Sequence, residues 1–141
     1  MRFMMIVKAN QDSEAGKMPG EELLAAMGKY NEELMQAGVL LDLSGLQPSS
    51  KGARIQYSGG KRTLIDGPFA ETKELIAGYW IIQVKSKQEA IDWAMRAPAP
   101  HGEGGEGQIE IRQFFELEDL GSSEAVERER DLENQLARNK R

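Results

Sequence analysis

The chain contains no cysteine, a single histidine and few aromatic residues, which make up 6% of its 141 positions. Without cysteine there are no disulfides, no thiolate metal ligands and no thiol nucleophile, and a reducing cytoplasm suits such a chain. No apolar run approaches the roughly 20 residues that a membrane-spanning helix needs, so a soluble protein is expected. Basic charge is also in short supply. Lys and Arg number 18 against 23 Asp and Glu, for a net charge of −5. No Lys/Arg cluster alternates with aromatics, which argues against a nucleic acid or membrane surface held through phosphate contacts. What remains is a composition 40% hydrophobic and 29% charged, suited to one globular domain with small molecules or proteins as partners.

Hydrophobic patterning divides the chain into recognisable elements. The opening "MRFMMIVKAN" has too short an apolar run for a secretory leader. It reads as a strand apolar on both faces, Phe3, Met5 and Val7 on one and Met4 and Ile6 on the other. A polar linker follows, and residues 21–38 then place Leu23, Met27, Tyr30 and Leu34 at helical spacing, from two acids to Gly38. A strand over 39–47 leads to "PSSKG" and a hairpin around Gly59 and Gly60. After "DGPFAETKE", residues 75–84 form a second strand apolar on both faces. Ser86 and Glu89 suggest a capping box opening a helix that ends before Pro98. A loop containing His101 precedes a last strand, "QIEIRQFFEL", with Ile109, Ile111, Phe115 and Leu117 expected inward. Residues 122–141 read as a charged helical tail with a thin stripe of Val126, Leu132 and Leu136.

This order predicts an α+β fold, a ferredoxin-like βαββαβ domain over residues 1–121 with an inserted β-hairpin, followed by the C-terminal helix. Right-handed crossovers place both main helices on one face of the sheet. The other face, apolar yet bare, calls for a second copy as cover, so a homodimer is expected, with Phe114 at its contact. The alternative is that the tail helix folds back over that face.

Four blocks, "MRFMMIVKA", "GLQPSSKG", "DGPFAETKELIAGYW" and "EIRQFFELEDLG", resemble the YCII-related family, and within it the branch named for its Asp-Gly-Pro-Phe motif. The likeness covers roughly residues 1–121. It implies a ferredoxin-like fold that pairs into a dimeric α/β barrel, with acid/base catalysis through a His and an Asp suspected in the broader family. The branch consists mostly of uncharacterised proteins, some encoded beside alternative sigma factors. Some relatives carry Glu and His where this chain has Ser44 and Gln47, so that ready acid/base pair is missing here.

The residues left for chemistry are few. Asp66 and His101 are the acid/base candidates, with Asp42, Glu71 and Lys73 the other groups from which such a mechanism could be assembled. Ser44, Gln47, Phe69, Glu71 and Lys73 are ligand-binding candidates: Phe69 as an apolar wall, Lys73 for an anionic group, Ser44 and Gln47 for neutral hydrogen bonds. Each has a plainer reading. Asp-Gly-Pro is common turn chemistry in which Asp66 accepts N–H groups of the residues that follow. Glu71 to Glu74 is equally a solvated connection. His101 with Glu103 and Glu106 on a glycine-rich loop fixes no metal geometry, and the acids there would repel phosphate, so no metal and no cofactor are expected. Two functions remain: a small-molecule enzyme or binding domain with its cleft near a dimer seam, or a noncatalytic regulatory module that presents its tail or hairpin to a protein partner such as one of the transcription machinery.

Overall fold

In a computed structural model that describes residues 1–139, four strands form one antiparallel sheet. The chain runs β1 (Arg2–Lys8), α1 (Gln11–Glu14), α2 (Glu21–Gln36), β2 (Leu40–Gly45), the hairpin strands β3 (Ala53–Ser58) and β4 (Lys61–Asp66), β5 (Ile76–Gln83), α3 (Lys87–Arg96), β6 (Ile109–Gln113) and α4 (Glu124–Asn139). The spatial order is β2-β5-β1-β6, with β3 and β4 as a separate two-stranded sheet. The two strands with apolar residues on both faces, β1 and β5, are the central pair. Their registry sets Met5 opposite Trp80 and Phe3 opposite Ile82.

One face of this sheet carries the core. Phe3, Met5, Trp80 and Ile82 pack with Tyr30 and Leu34 of α2 and Ala90 of α3, placing both main helices on the same side, as right-handed crossovers require. The indole of Trp80 donates to Asn31 Oδ1 at 2.7 Å, and Tyr30 donates its hydroxyl to the Trp93 carbonyl at 2.6 Å. The ring of Tyr30 meets the Trp80 and Trp93 rings edge-on, with centroids 5.4 and 6.4 Å away. Buried polar tips are thereby satisfied, so the aromatics can enter the core without stranding a donor. Helix α3 opens at Ser86, as its sequence predicts: Ser86 Oγ accepts from Glu89 N, but the Glu89 carboxylate accepts from Lys85 N, one residue before the cap, and not from the Ser86 N–H that a full capping box uses.

Three sequence expectations change. The linker after β1 contains a short helix, α1, because Asn10 and Ser13 cap each other reciprocally. The last strand stops at Gln113, and Phe115, expected inward, is 76% exposed. Its departure has a cause: Arg2 grips the Glu116 carboxylate at 2.9 and 3.1 Å, drawing the chain off the sheet into a 3₁₀ turn over Leu117–Leu120. The outer face, finally, is only partly bare. Ile6 is 8% exposed, while Met4, Tyr79 and Ile81 are half-buried.

Helix α4 packs against the 3₁₀ turn over Leu117–Leu120. Val126 is buried, Arg130 reaches Glu118 at 3.5 Å, and the carboxylate of Glu133 is near enough to reinforce the charge on Arg2. Leu132 and Leu136 stay more than half exposed. The expected tail helix over 122–141 is thus observed from Glu124 to Asn139, and residues 140 and 141 lie outside the described part.

Candidate functional site

Strand polarity decides which loops meet. Because β1 and β2 both run antiparallel to β5, and β1 antiparallel to β6, the C-terminal ends of β1 and β2 share one end of the sheet with the N-terminal ends of β5 and β6. Ala9 N bonds to Leu75 O at 2.9 Å and Leu46 N to Ala77 O at 2.8 Å, stitching the segments there. Four loops converge at this end: the one holding α1, the 46–52 segment, the Asp66–Leu75 segment and the His101 loop.

A three-way lock organises two of them against α1. The Glu14 carboxylate accepts the Ser49 backbone N–H at 3.0 Å and also the Ser49 hydroxyl in a short hydrogen bond. Ser49 Oγ in turn accepts the backbone N–H of Phe69 at 3.0 Å, and Gly67 N bonds to Gly52 O at 3.0 Å. Gly67 lies so close beneath the Ser49 carbonyl that any Cβ would overlap it, so only glycine fits. The Gly67–Pro68 peptide is cis. The Phe69 ring is half-buried beneath the Arg54 guanidinium, which stands 3.8 Å from its centroid. The acceptor that organises the turn is therefore Ser49, and not Asp66 as turn chemistry suggested, because the hydroxyl enters from a second loop already held by Glu14.

Asp66 closes β4 opposite Ala53 and is exposed. Glu71 and Lys73 are exposed as well, flanking and entering a 3₁₀ turn over Thr72–Glu74. Ser44 stands in β2 opposite Tyr79, and Gln47 follows that strand, both exposed. Tyr79 donates its hydroxyl to Asp42 Oδ2 at 3.3 Å, forming a polar row with Ser44 on the outer face beside Ile81. His101 is half-buried, with Nε2 2.8 Å from the Lys8 carbonyl at the end of β1. A carbonyl only accepts, so Nε2 carries the proton and Nδ1 is the ring's basic nitrogen.

Strand polarity brings the segments that carry the seven predicted residues to one end of the sheet. Two open recesses are lined by other residues: one by the hairpin tip Tyr57–Arg62, the other by Met1, Arg2, Gln83, Gln113, Glu116, Glu118 and Asp119. Among the described residues no group of three or more His, Asp or Glu side chains is placed to hold a metal ion. Arg2 in the second recess has its already high pKa raised, first by the hydrogen bond it donates to the Glu116 carboxylate and, against the opposing effect of burial, by the charges of Glu116 and Glu133. In the sequence Glu14 is one acid of a polar linker and Ser49 one serine of "PSSKG", and neither stands out. The one local signal was Asn10 three residues before Ser13, which marks a helix start and so a reason for Glu14 to be oriented.

Order of elements, strand order and the hairpin between the second and third strands of the main sheet define a ferredoxin-like α+β domain. The chain belongs to the YCII-related family, whose domain description matches residues 1–118. It is also similar to an uncharacterised protein of Rhizobium meliloti (strain 1021), 33% identical over 78 residues. That similarity spans 55% of this chain and 63% of the other protein. No described helix is long and apolar enough to cross a membrane.

Proposed function

We propose that this protein is a cytoplasmic homodimer of the Asp-Gly-Pro-Phe branch of the family, binding a small molecule at the loop end of its sheet, beside the seam between two outer faces. The observation that carries this reading is the convergence of Asp66, Phe69, Lys73, Ser44 and His101 on one sheet end by strand polarity. The half-buried apolar residues Met4, Tyr79 and Ile81 next to it supply a surface that a second copy can cover. In this reading Asp66 and the free Nδ1 of His101 are the acid/base groups, Lys73 takes an anionic substituent, and Phe69 forms the apolar wall. Burial beneath a partner would raise the affinity of these groups for a ligand by removing competing water.

The test is a thermal-shift screen with a panel of small metabolic acids and their esters on the wild type, Asp66→Asn and His101→Ala. Stabilisation of the wild type at saturating compound, amounting to about 3 kcal/mol at a hundredfold excess over Kd, should be lost in one or both variants. Equal stabilisation of all three proteins sinks the assignment of these two residues. A second reading draws on the exposed Leu132 and Leu136 of α4: a regulatory module that offers this helix to a transcription-associated protein. It requires a partner retained by the full chain and lost on removal of residues 122–141.

A further inference from the structure

Arg2, Arg96, Arg112, Arg128 and Arg130 each lie beside a Glu carboxylate, at distances between 2.9 and 3.6 Å. Arg54 is different. Among the described residues no carboxylate lies within ion-pair distance of it and no hydrogen bond engages it. Its guanidinium instead rests on the Phe69 ring, 3.8 Å from the centroid, a distance of van der Waals contact. Arg62 also stands over an aromatic ring, that of its cross-strand partner Tyr57. That pair is looser, at 4.9 Å, and lies within the exposed hairpin itself, with Tyr57 67% exposed.

The platform beneath Arg54 is held in place. Phe69 is half-buried, and its backbone N–H donates to Ser49 Oγ, which Glu14 holds in turn. Gly67 N bonds to Gly52 O, continuing the β3–β4 pairing past Ala53 and Asp66 and fixing how the hairpin leaves the turn. Arg54 stands opposite Ile65, so these two side chains share one face of the hairpin, whereas Asp66, opposite Ala53, stands on the other. The hairpin's own acid is therefore turned away from the guanidinium. A guanidinium laid against a ring keeps its N–H edge for other partners, and its long stem has already lost the freedom that binding would otherwise take from it. Lys73, by contrast, is an exposed ammonium in the Thr72–Glu74 turn.

The chemistry of the ligand follows from this donor set. The fork of N–H groups matches the two oxygens of a planar carboxylate. The backbone N–H groups of Ser49, Gly52, Gly67 and Phe69 are spent on holding the loops to one another, so they do not cradle a phosphate. Asp66, Glu71 and Glu74 in the segment that follows β4 oppose a second negative charge. Ile65, 38% exposed on the Arg54 face, offers an apolar surface. We propose that Arg54, stacked on Phe69, is the anchor of the loop-end site and receives the carboxylate of a small organic acid whose apolar portion lies along Ile65. The proposal rests on the ligand-site reading above and adds the class of ligand and the residue that recognises it. Lys73 then contributes charge without a fixed geometry.

Benzoate, its neutral isostere benzamide and the dianion phenyl phosphate are the probes. Each is titrated into the isotope-labelled full chain, following the Arg54 Nε–H signal, which Arg54→Lys identifies by its disappearance. Benzoate should move this signal saturably, and benzamide should leave it in place. Arg54→Gln should weaken benzoate binding about tenfold or more, with Arg54→Lys restoring only part of the loss and Lys73→Gln changing it less than about threefold. Because Arg54 is exposed, the variants keep the fold, which their backbone spectra show directly. Benzoate binding unchanged in Arg54→Gln, or matched by benzamide, overturns Arg54 as the carboxylate anchor, and a preference for phenyl phosphate overturns the ligand class. Silence of the Arg54 signal toward benzoate overturns the proposal as well. In each case the ligand-site reading survives if a compound of the thermal-shift panel stabilises the wild type and fails to stabilise Asp66→Asn or His101→Ala, and it falls too if none does.

Discussion

At the scale of single residues, the lock at the loop end rests on one atom-sized gap. A methyl at Gly67 would overlap the Ser49 carbonyl, and that carbonyl belongs to a turn pinned by Glu14 and by Phe69 N. Gly67→Ala should therefore destabilise the protein by about 1–3 kcal/mol, read as a lower midpoint in urea unfolding with unchanged slope. A neutral result would mean that the turn yields easily and does not set the hairpin angle. Tyr30 offers a second residue-level check. Burial, acting against the nearby Arg96 and with Glu33, pushes its hydroxyl from 10.0 up to about 12. The folded state thus holds this proton where the unfolded state has lost it. Stability should be unaffected below about pH 10 and fall as pH rises from there toward 12. Tyr30→Phe should flatten that alkaline decline while lowering neutral-pH stability by roughly 1 kcal/mol, since the hydrogen bond to the Trp93 carbonyl goes.

At the scale of elements, local signals and tertiary demands separate clearly. Helix α3 is announced by Ser86 and Glu89 and realised through those two side chains. Ser86→Ala should cost about 1 kcal/mol in thermal or urea unfolding, with no loss of any ligand response. Strand β6 is the contrasting case. Its alternation continues past Gln113 in the sequence, yet the strand ends there because Arg2 offers Glu116 a two-pronged contact. Period alone has no means of registering a partner 114 residues away. The polar linker hides α1 for a similar reason: four residues are too few for an amphipathic stripe, and only the Asn10–Ser13 exchange betrays them.

At the scale of the whole molecule, the sheet has one face sealed by α2 and α3 and one left partly open. Ile81 lies at the centre of that outer face, on central strand β5 and opposite Met4. If two copies meet there, Ile81→Asp buries an unpaired carboxylate at the seam and should convert a dimer to monomer in sedimentation or light scattering, with far-UV circular dichroism preserved. A variant that stays dimeric moves the interface elsewhere. Because exposed ion pairs such as Arg96–Glu33 and Arg128–Glu124 contribute only about 0–1 kcal/mol each, surface charge is expected to guide orientation more than to supply stability.

The fold was largely legible from the chain itself because its signals are local and repeated. Apolar residues on both faces mark β1 and β5 as central, helical spacing marks α2, and paired glycines mark the hairpin. Proximity among distant residues is another matter. Asp66, Ser44 and His101 are each recognisable as polar groups in loops, but only the antiparallel registry sends them to one sheet end. Glu14 and Ser49 are unremarkable in sequence and Gly67 is marked there only as part of a turn motif; packing against one another makes them a unit. What the sequence by itself determined is which elements exist and which faces must be buried, since periodicity and turn chemistry act over a few residues. What only the tertiary structure decided is where strands stop, what holds the Asp-Gly-Pro-Phe turn and which loops meet at one end of the sheet, since hydrogen bonds and steric contacts join residues without regard to their separation along the chain.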